Sequence, residues 1–140
     1  MKSFLGIPYP IVKTTRGYLY SQGGVDQIKS DLLVLLLTNP GERVMNPFFG
    51  TPLRTLLFEP NDPTTALAAK NMITNSIKMW EPRIAIQNIN VSTSIDKSSL
   101  NPADNGSEVS HILFIQIMFV DPQNIKSVQD LTLEVPLGGS

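Results

Sequence analysis

NDPTTALAAKNMITNSIKMWEPRIAIQNINVSTSI, residues 61–95, contains the change of period on which the fold turns. Asn61-Asp62-Pro63 reads as a helix start. Asp62 can accept from the free N–H groups of the first turn, and Pro63 suits the first helical position, whose own N–H would have no partner. Ala66, Ala69, Ile73, Ile77 and Trp80 then recur at three- or four-residue steps, which predicts one apolar face on a helix ending near Trp80. Its small early residues allow close approach to a neighbouring element. Pro82 stops it, because the residue before a proline, here Glu81, is pushed out of helical geometry. From Ile84 the period drops to two. Ile84 and Ile86, then Ile89, Val91 and Ile95, alternate with polar residues, and the phase slips by one between Ile86 and Ile89. A bulge near Asn88 would keep both sets on the core side.

Upstream, Ile11-Val12 and Tyr18-Leu19-Tyr20 flank Thr15-Arg16-Gly17 and predict a short hairpin. Gly23-Gly24 opens a helix on which Val25, Ile28, Leu32 and Leu35-Leu36 keep helical spacing, while Leu33, Val34 and Leu37 carry the apolar surface almost around the last turns. Such a helix is buried on several sides. Asn39-Pro40-Gly41 ends it, and a loop with Phe48-Phe49-Gly50 leads to a short helix from Pro52 through Leu57-Phe58. Downstream, residues 111–120 are nearly all apolar, as in a central strand covered on both faces. Residues 97–108, rich in Ser, Asn, Asp, Gly and Pro, predict an exposed hairpin loop. Residues 128–135 form a last strand with Leu131, Leu133 and Val135 on one face. The order β-β-α-α-β-β-β makes the chain α+β, with two main helices on one mixed or antiparallel sheet. It reads as one domain over 1–140: an N-terminal hairpin region (1–24), a helical part (25–82) and C-terminal strands (83–140).

Composition removes several kinds of chemistry. There are 140 residues, no Cys and one His, His111, which excludes a disulfide framework, thiolate and multi-His metal sites and a Cys nucleophile. A net charge of −1 gives no basic field for nucleic acid. The longest apolar run, residues 32–37, is far short of the roughly 20 residues of a membrane span. The start of the chain, cut by Pro8 and Pro10, lacks the apolar run of a signal peptide, so the chain is expected to stay in the compartment of its synthesis. No phosphate loop, dinucleotide fingerprint or acidic metal loop occurs, and no cofactor is expected. Charged residues make up only 16% of the chain, against roughly 25% in an ordinary soluble domain. Since charge is depleted in interface cores, this points to a surface partly covered by partners.

Two corners carry what chemistry there is. In Trp80-Glu81-Pro82-Arg83 a tryptophan closes a helix, a proline stiffens the exit, and opposite charges flank it. Either Glu81 and Arg83 pair locally to satisfy the corner, or they face outward as an acid and a base for a partner protein. Pro40-Gly41-Glu42-Arg43 repeats the pattern and the two readings. Phe48-Phe49-Gly50 reads as a loop plugging the core. Glycoside hydrolysis needs only two carboxylates, and Glu42, Glu59 and Glu81 sit at loop or helix ends. No spacing sets any two of them at a catalytic separation. A Ser-His-Asp arrangement would need His111, which starts an apolar strand with no nucleophile-elbow glycines around a serine.

Pro8-Tyr9-Pro10, the Leu-rich helix running into Leu37-Thr38-Asn39-Pro40-Gly41-Glu42-Arg43, Pro47-Phe48-Phe49-Gly50-Thr51-Pro52-Leu53, Leu57-Phe58-Glu59-Pro60 and Trp80-Glu81-Pro82-Arg83 occur in this order. In this the chain resembles the baseplate wedge or sheath-initiator family of contractile phage tails. That family has baseplate members in type VI secretion systems and has long carried a lysozyme-like label. The resemblance runs from about residue 4 to 120; the C-terminal strand matches in type more than in sequence.

The resemblance implies a structural, non-enzymatic subunit of the tail baseplate, assembled in the host cytoplasm and carried in the virion. It implies a fold similar to the sheet-bearing inner domain of sheath proteins. Glu81, Pro82 and Arg83 would contact the helical core bundle of the wedge proteins, with Glu42 and Arg43 as a second corner. The strand bearing Leu131, Leu133 and Val135 would lie at a sheet edge and receive a strand of the tail sheath protein. The tail tube or hub is a further expected neighbour. The alternatives are a lysozyme-like glycoside hydrolase and the equivalent subunit of a secretion system or tail-derived particle.

Overall fold

The computed structural model describes residues 5–60, 62–96, 110–121 and 124–136. The N-terminal region is a hairpin longer than the sequence predicts. Thr14 N–H donates to the Tyr18 carbonyl and Tyr20 N–H to that of Val12, and Lys13 bridges Leu19. Outside this turn, β1 (Leu5–Gly6) pairs antiparallel with β2 (Gln22–Gly23). Gly24, at φ 71°, turns the chain into α1 (Val25–Leu37). Ile28, Leu32, Leu35 and Leu36 of α1 are buried and Leu33 and Val34 partly so, whereas Leu37 is exposed. The polar residues Gln27 and Ser30 are also buried.

The short helix after Pro52 forms as a 3-10 helix, Leu53–Phe58. The second main helix, α2 (Pro63–Trp80), begins and ends where its signals place it. Thr65 N–H donates to Asp62 Oδ1 at 2.9 Å, and Pro63 occupies the first turn. Ala69, Ile73 and Ile77 are fully buried, with Thr65 and Ser76 beside them.

Three long strands, β3 (Ala85–Asp96), β4 (Ser110–Asp121) and β5 (Asn124–Pro136), form one antiparallel sheet in the order β3-β4-β5. The predicted phase slip is a register shift between Ile86 and Asn88, so Ile86 and Ile89 both pack on the core. The inner face of β4, made of Leu113, Ile115, Ile117 and Phe119, is completely buried against α1, α2 and the 3-10 helix in one cluster. At about 1.5–3 kcal/mol for each large side chain taken out of water, this cluster supplies most of the drive to fold.

The sequence predicts β4 covered on both faces; among the described residues the structure covers only one. Ile112, Phe114, Met118 and Val120 on the second face are half-buried. Both helices lie on the other side, and cover here comes from the flanking strands, which place Asn88 and Asp130 beside Met118, and Ser92 and Glu134 beside Phe114. The loop predicted over 97–108 lies outside the described residues.

Candidate functional site

The exit of α2 builds the first half of the site. Glu81 leaves helical geometry at φ −129° and ψ 65°, while its N–H still donates to the Ile77 carbonyl at 2.8 Å. Pro82 reverses the chain, and Arg83 folds back so that Nε and Nη2 donate to the two carboxylate oxygens of Glu81. The same Nη2 donates to Asp31 Oδ2 on α1 at 3.1 Å. Asp31 Oδ1 accepts from Gln27 Nε2, one turn earlier, at 2.8 Å, and Gln27 Nε2 also donates to the Ile7 carbonyl. A continuous polar chain therefore ties the N-terminal segment through α1 to the α2–β3 corner. Glu81 is only 6% exposed; the fork of Arg83 is what makes its burial tolerable. Hydrogen bonding to Glu81, with Asp31 adding to it, holds the Arg83 guanidinium proton more tightly than usual against the opposing effect of burial.

The second half comes from the loop after α1. Asn39 Nδ2 donates to Glu42 Oε1 at 2.8 Å, and this bond lowers the Glu42 carboxyl below its ordinary value. The Arg43 guanidinium lies over the Phe49 ring, 4.1 Å from its centroid. Phe49 meets Trp80 edge to face, with centroids 5.3 Å apart, so the two corners touch through aromatic rings. Gly50 makes this possible. At φ 129° it adopts backbone that an L side chain rarely takes, and a Cβ there would fall 2.4 Å from the Thr38 carbonyl oxygen. Thr51 then pins the loop to the end of α1, its N–H donating to the Thr38 carbonyl and its hydroxyl to that of Leu35.

Between the corners opens a cleft of about 480 Å³, bordered by Ile7, Asp31, Val34, Arg43, Trp80 and Glu81. Glu81 and Arg43 thus border the same cleft, with Arg83 paired to Glu81 behind it. Glu42 sits exposed on the same loop. Phe49 plugs the core as predicted, whereas Phe48 points to solvent. Sequence reading missed Asp31 and Gln27; an i, i+4 polar pair on an otherwise apolar helix was the available signal.

Leu131, Leu133 and Val135 lie elsewhere, opposite Ile117, Ile115 and Leu113 of β4, and pack on the core face. What β5 offers outward is its backbone edge, since among the described residues it pairs with β4 alone. The three candidate carboxylates do not converge. Both oxygens of Glu81 accept from Arg83, Glu42 is solvated, and Glu59 borders a separate cleft beside Thr55 and Asp62. Among the described residues no group of acidic or His side chains could hold a metal ion, and no helix is long and apolar enough to cross a membrane.

A family model described as baseplate wedge protein gp25 matches residues 22–109. The baseplate wedge protein gp25 of Enterobacteria phage T4 is 35% identical over 107 residues, which is 76% of this chain and 73% of that protein. A solved putative tail lysozyme from Geobacter sulfurreducens superposes with a TM-score of 0.63 at 24% identity, over 81% of this chain and 91% of that one. A chain of the anti-feeding prophage baseplate gives 0.60 at 19% identity, covering 97% of this chain and 87% of its own. A chain of the postcontracted pyocin R2 baseplate gives 0.51 at 22% identity, over 91% and 99%. At these identities the three structural likenesses speak for the fold.

Proposed function

The chain belongs to the family of baseplate wedge protein gp25 and is a structural subunit of contractile-tail baseplates; we propose that it docks on the helical core of the wedge through the Glu81-Pro82-Arg83 corner. The supporting observation is the way this corner is held. A bidentate pair and a second ion pair to α1 fix it beside the cleft, so it meets a partner with little ordering left to do. The polar network keeps the corner in shape, and the exposed Pro82 and the cleft rim make the contact. The subunit assembles in the host cytoplasm, acts without catalysis and remains at the foot of the tail.

From that position the free edge of β5 offers the first sheath subunits a strand to pair with, main-chain bonds giving affinity and alternating side chains giving register. An open edge is an aggregation hazard in an ordinary protein and a template in an initiator. In this reading Leu131, Leu133 and Val135 keep β5 flat against its own core so that the edge stays presented.

Replacing Pro82 with Glu tests the corner while keeping Glu81, Arg83 and Asp31 in place. Capture of co-expressed wedge proteins of the same tail should be lost while the thermal midpoint is kept; undiminished capture would remove the corner from the interface. For the edge, alternate amides of β5 should exchange fast in the free chain and become protected on adding sheath protein. Unchanged exchange would end the strand-addition reading.

A further inference from the structure

The loop between α1 and the 3-10 helix holds side chains out to solvent that neither the core nor the α2 corner explains. Val44 and Met45 are 93% and 96% exposed and Phe48 is 78% exposed. Their backbone is not a slack tether: Gly41 N–H donates to the Pro47 carbonyl at 2.6 Å and closes the base of the loop, and Phe49 N–H donates to Asn46. Gly50 and Thr51 fasten the far end to α1. The result is a cross-tied finger with a bare apolar tip.

Arg43 stands beside that tip in a state unlike that of Arg83. Arg83 is engaged by Glu81 and Asp31. Arg43 sits over the Phe49 ring, which is steadied in turn by Trp80, and among the described residues its guanidinium makes no hydrogen bond or ion pair. The carboxylates at the cleft, Asp31 and Glu81, already accept from Arg83, and the neighbouring Glu42 accepts from Asn39. A planar fork of donors, oriented by an aromatic face and left without an acceptor, is complementary to an incoming carboxylate.

We propose that the 41–49 loop is a docking finger for a partner protein that presents an apolar groove rimmed by a carboxylate. Met45, Val44 and Phe48 fill the groove, and Arg43 takes the carboxylate in a bidentate pair across its rim. Met, Phe and Arg are the residue types that concentrate in interface cores. The proposal rests on the reading that this end of the molecule faces the wedge, and it divides the labour there: Arg83 shapes the site, while Arg43 and the loop tip supply recognition.

The experiment uses the full chain co-expressed with the wedge proteins of its own tail, with affinity measured by titration at two salt concentrations. Met45→Ser/Phe48→Ser should lower affinity about tenfold or more, and Arg43→Gln by a similar factor. Arg43→Lys should fall between, because it keeps the charge and loses the fork. Wild-type affinity should drop with salt, and that of Arg43→Gln should drop less. All three variants should stay folded, with Arg43→Gln melting slightly lower for its lost contact with the Phe49 ring. If they bind the wedge as tightly as the wild type while Pro82→Glu does not, the finger is overturned and the corner stands. If the wild type itself fails to capture the wedge, both fall. Sedimentation covers the remaining occupant: loop variants that change only self-association would make the groove part of a second copy and overturn the proposal.

Discussion

Arg83 reaches Asp31, fifty-two positions earlier in the chain, at 3.1 Å, and so joins the exit of one helix to the middle of another. The two ends of this contact differ in weight. Asp31 and Arg83 are each about a third exposed, whereas Glu81, the other acceptor of Arg83, is buried. Asp31→Asn should therefore cost about 1 kcal/mol or less. Arg83→Ala, which strands the buried Glu81 carboxylate, should cost about 3–5 kcal/mol. Urea denaturation of the two variants checks the asymmetry; equal losses would refute it.

Gly50→Ala should destabilise the chain by about 1–3 kcal/mol, because the added Cβ would meet the Thr38 carbonyl on backbone that already has a positive φ. Relief of that clash must move the loop and with it Phe49. Trp80 is the single tryptophan of the chain, so its emission should change with the substitution. A loss of stability with unaltered emission would show that Gly50 does not govern the aromatic contact.

The two faces of β4 should respond differently to truncation. Ile117→Ala opens a cavity in the fully buried face and should cost about 2–5 kcal/mol. Met118→Ala, its neighbour on the half-buried face, should cost clearly less, since water and the flanking strands can adjust. Matched denaturation curves for the pair would contradict the one-sided layering.

Acid titration separates the corners. The Glu42 carboxyl is lowered by the Asn39 side-chain bond. The stability it contributes is present above the ordinary carboxylate value and is lost as pH falls through the depressed folded value. Asn39→Ala should raise the Glu42 titration, followed by NMR, toward normal. Arg83 is shifted upward, so its contribution is complete at any pH below the ordinary arginine range and stays flat through neutrality.

Purified protein should leave cell-wall material intact, and Glu42→Gln or Glu59→Gln should change nothing measurable. Glu81→Gln should lower stability through the weakened Arg83 pair, again with no hydrolysis gained or lost. Digestion by the wild type that one of these changes abolishes would overturn the structural reading of the subunit.

Helix α2 was legible because everything that defines it is local. The Asp62 cap, the apolar steps to Trp80 and the stop at Pro82 lie within one short stretch. The bulge before Asn88 was legible for the same reason, as a slip in a period of two. The Asp31–Arg83 contact was not, since nothing in either neighbourhood names a partner so far along the chain. The apolar run of β4 misled because a strand between two neighbours shelters side chains on its open face, and sequence cannot distinguish that shelter from a second layer. Leu131, Leu133 and Val135 were correctly placed on one face; that the face belongs to the chain's own core is a tertiary fact. In sequence Phe48 reads with Phe49 as a core plug, and Val44 and Met45 carry no signal; that all three stand out to solvent depends on the loop's shape.

The polar chain from Ile7 through Gln27, Asp31 and Arg83 to Glu81 also has a mechanical meaning. In the docking proposed above, a load arriving at Pro82 need not bend the turn it meets. It runs through a short strut of charged contacts into the middle of α1, and from there into the packed interior. Its weaker link is the part-exposed Arg83–Asp31 contact, while the pair with the buried Glu81 carboxylate holds the turn itself together. A bend in the chain thus becomes a bracket whose turn is stiff and whose tie to α1 is the part that gives first.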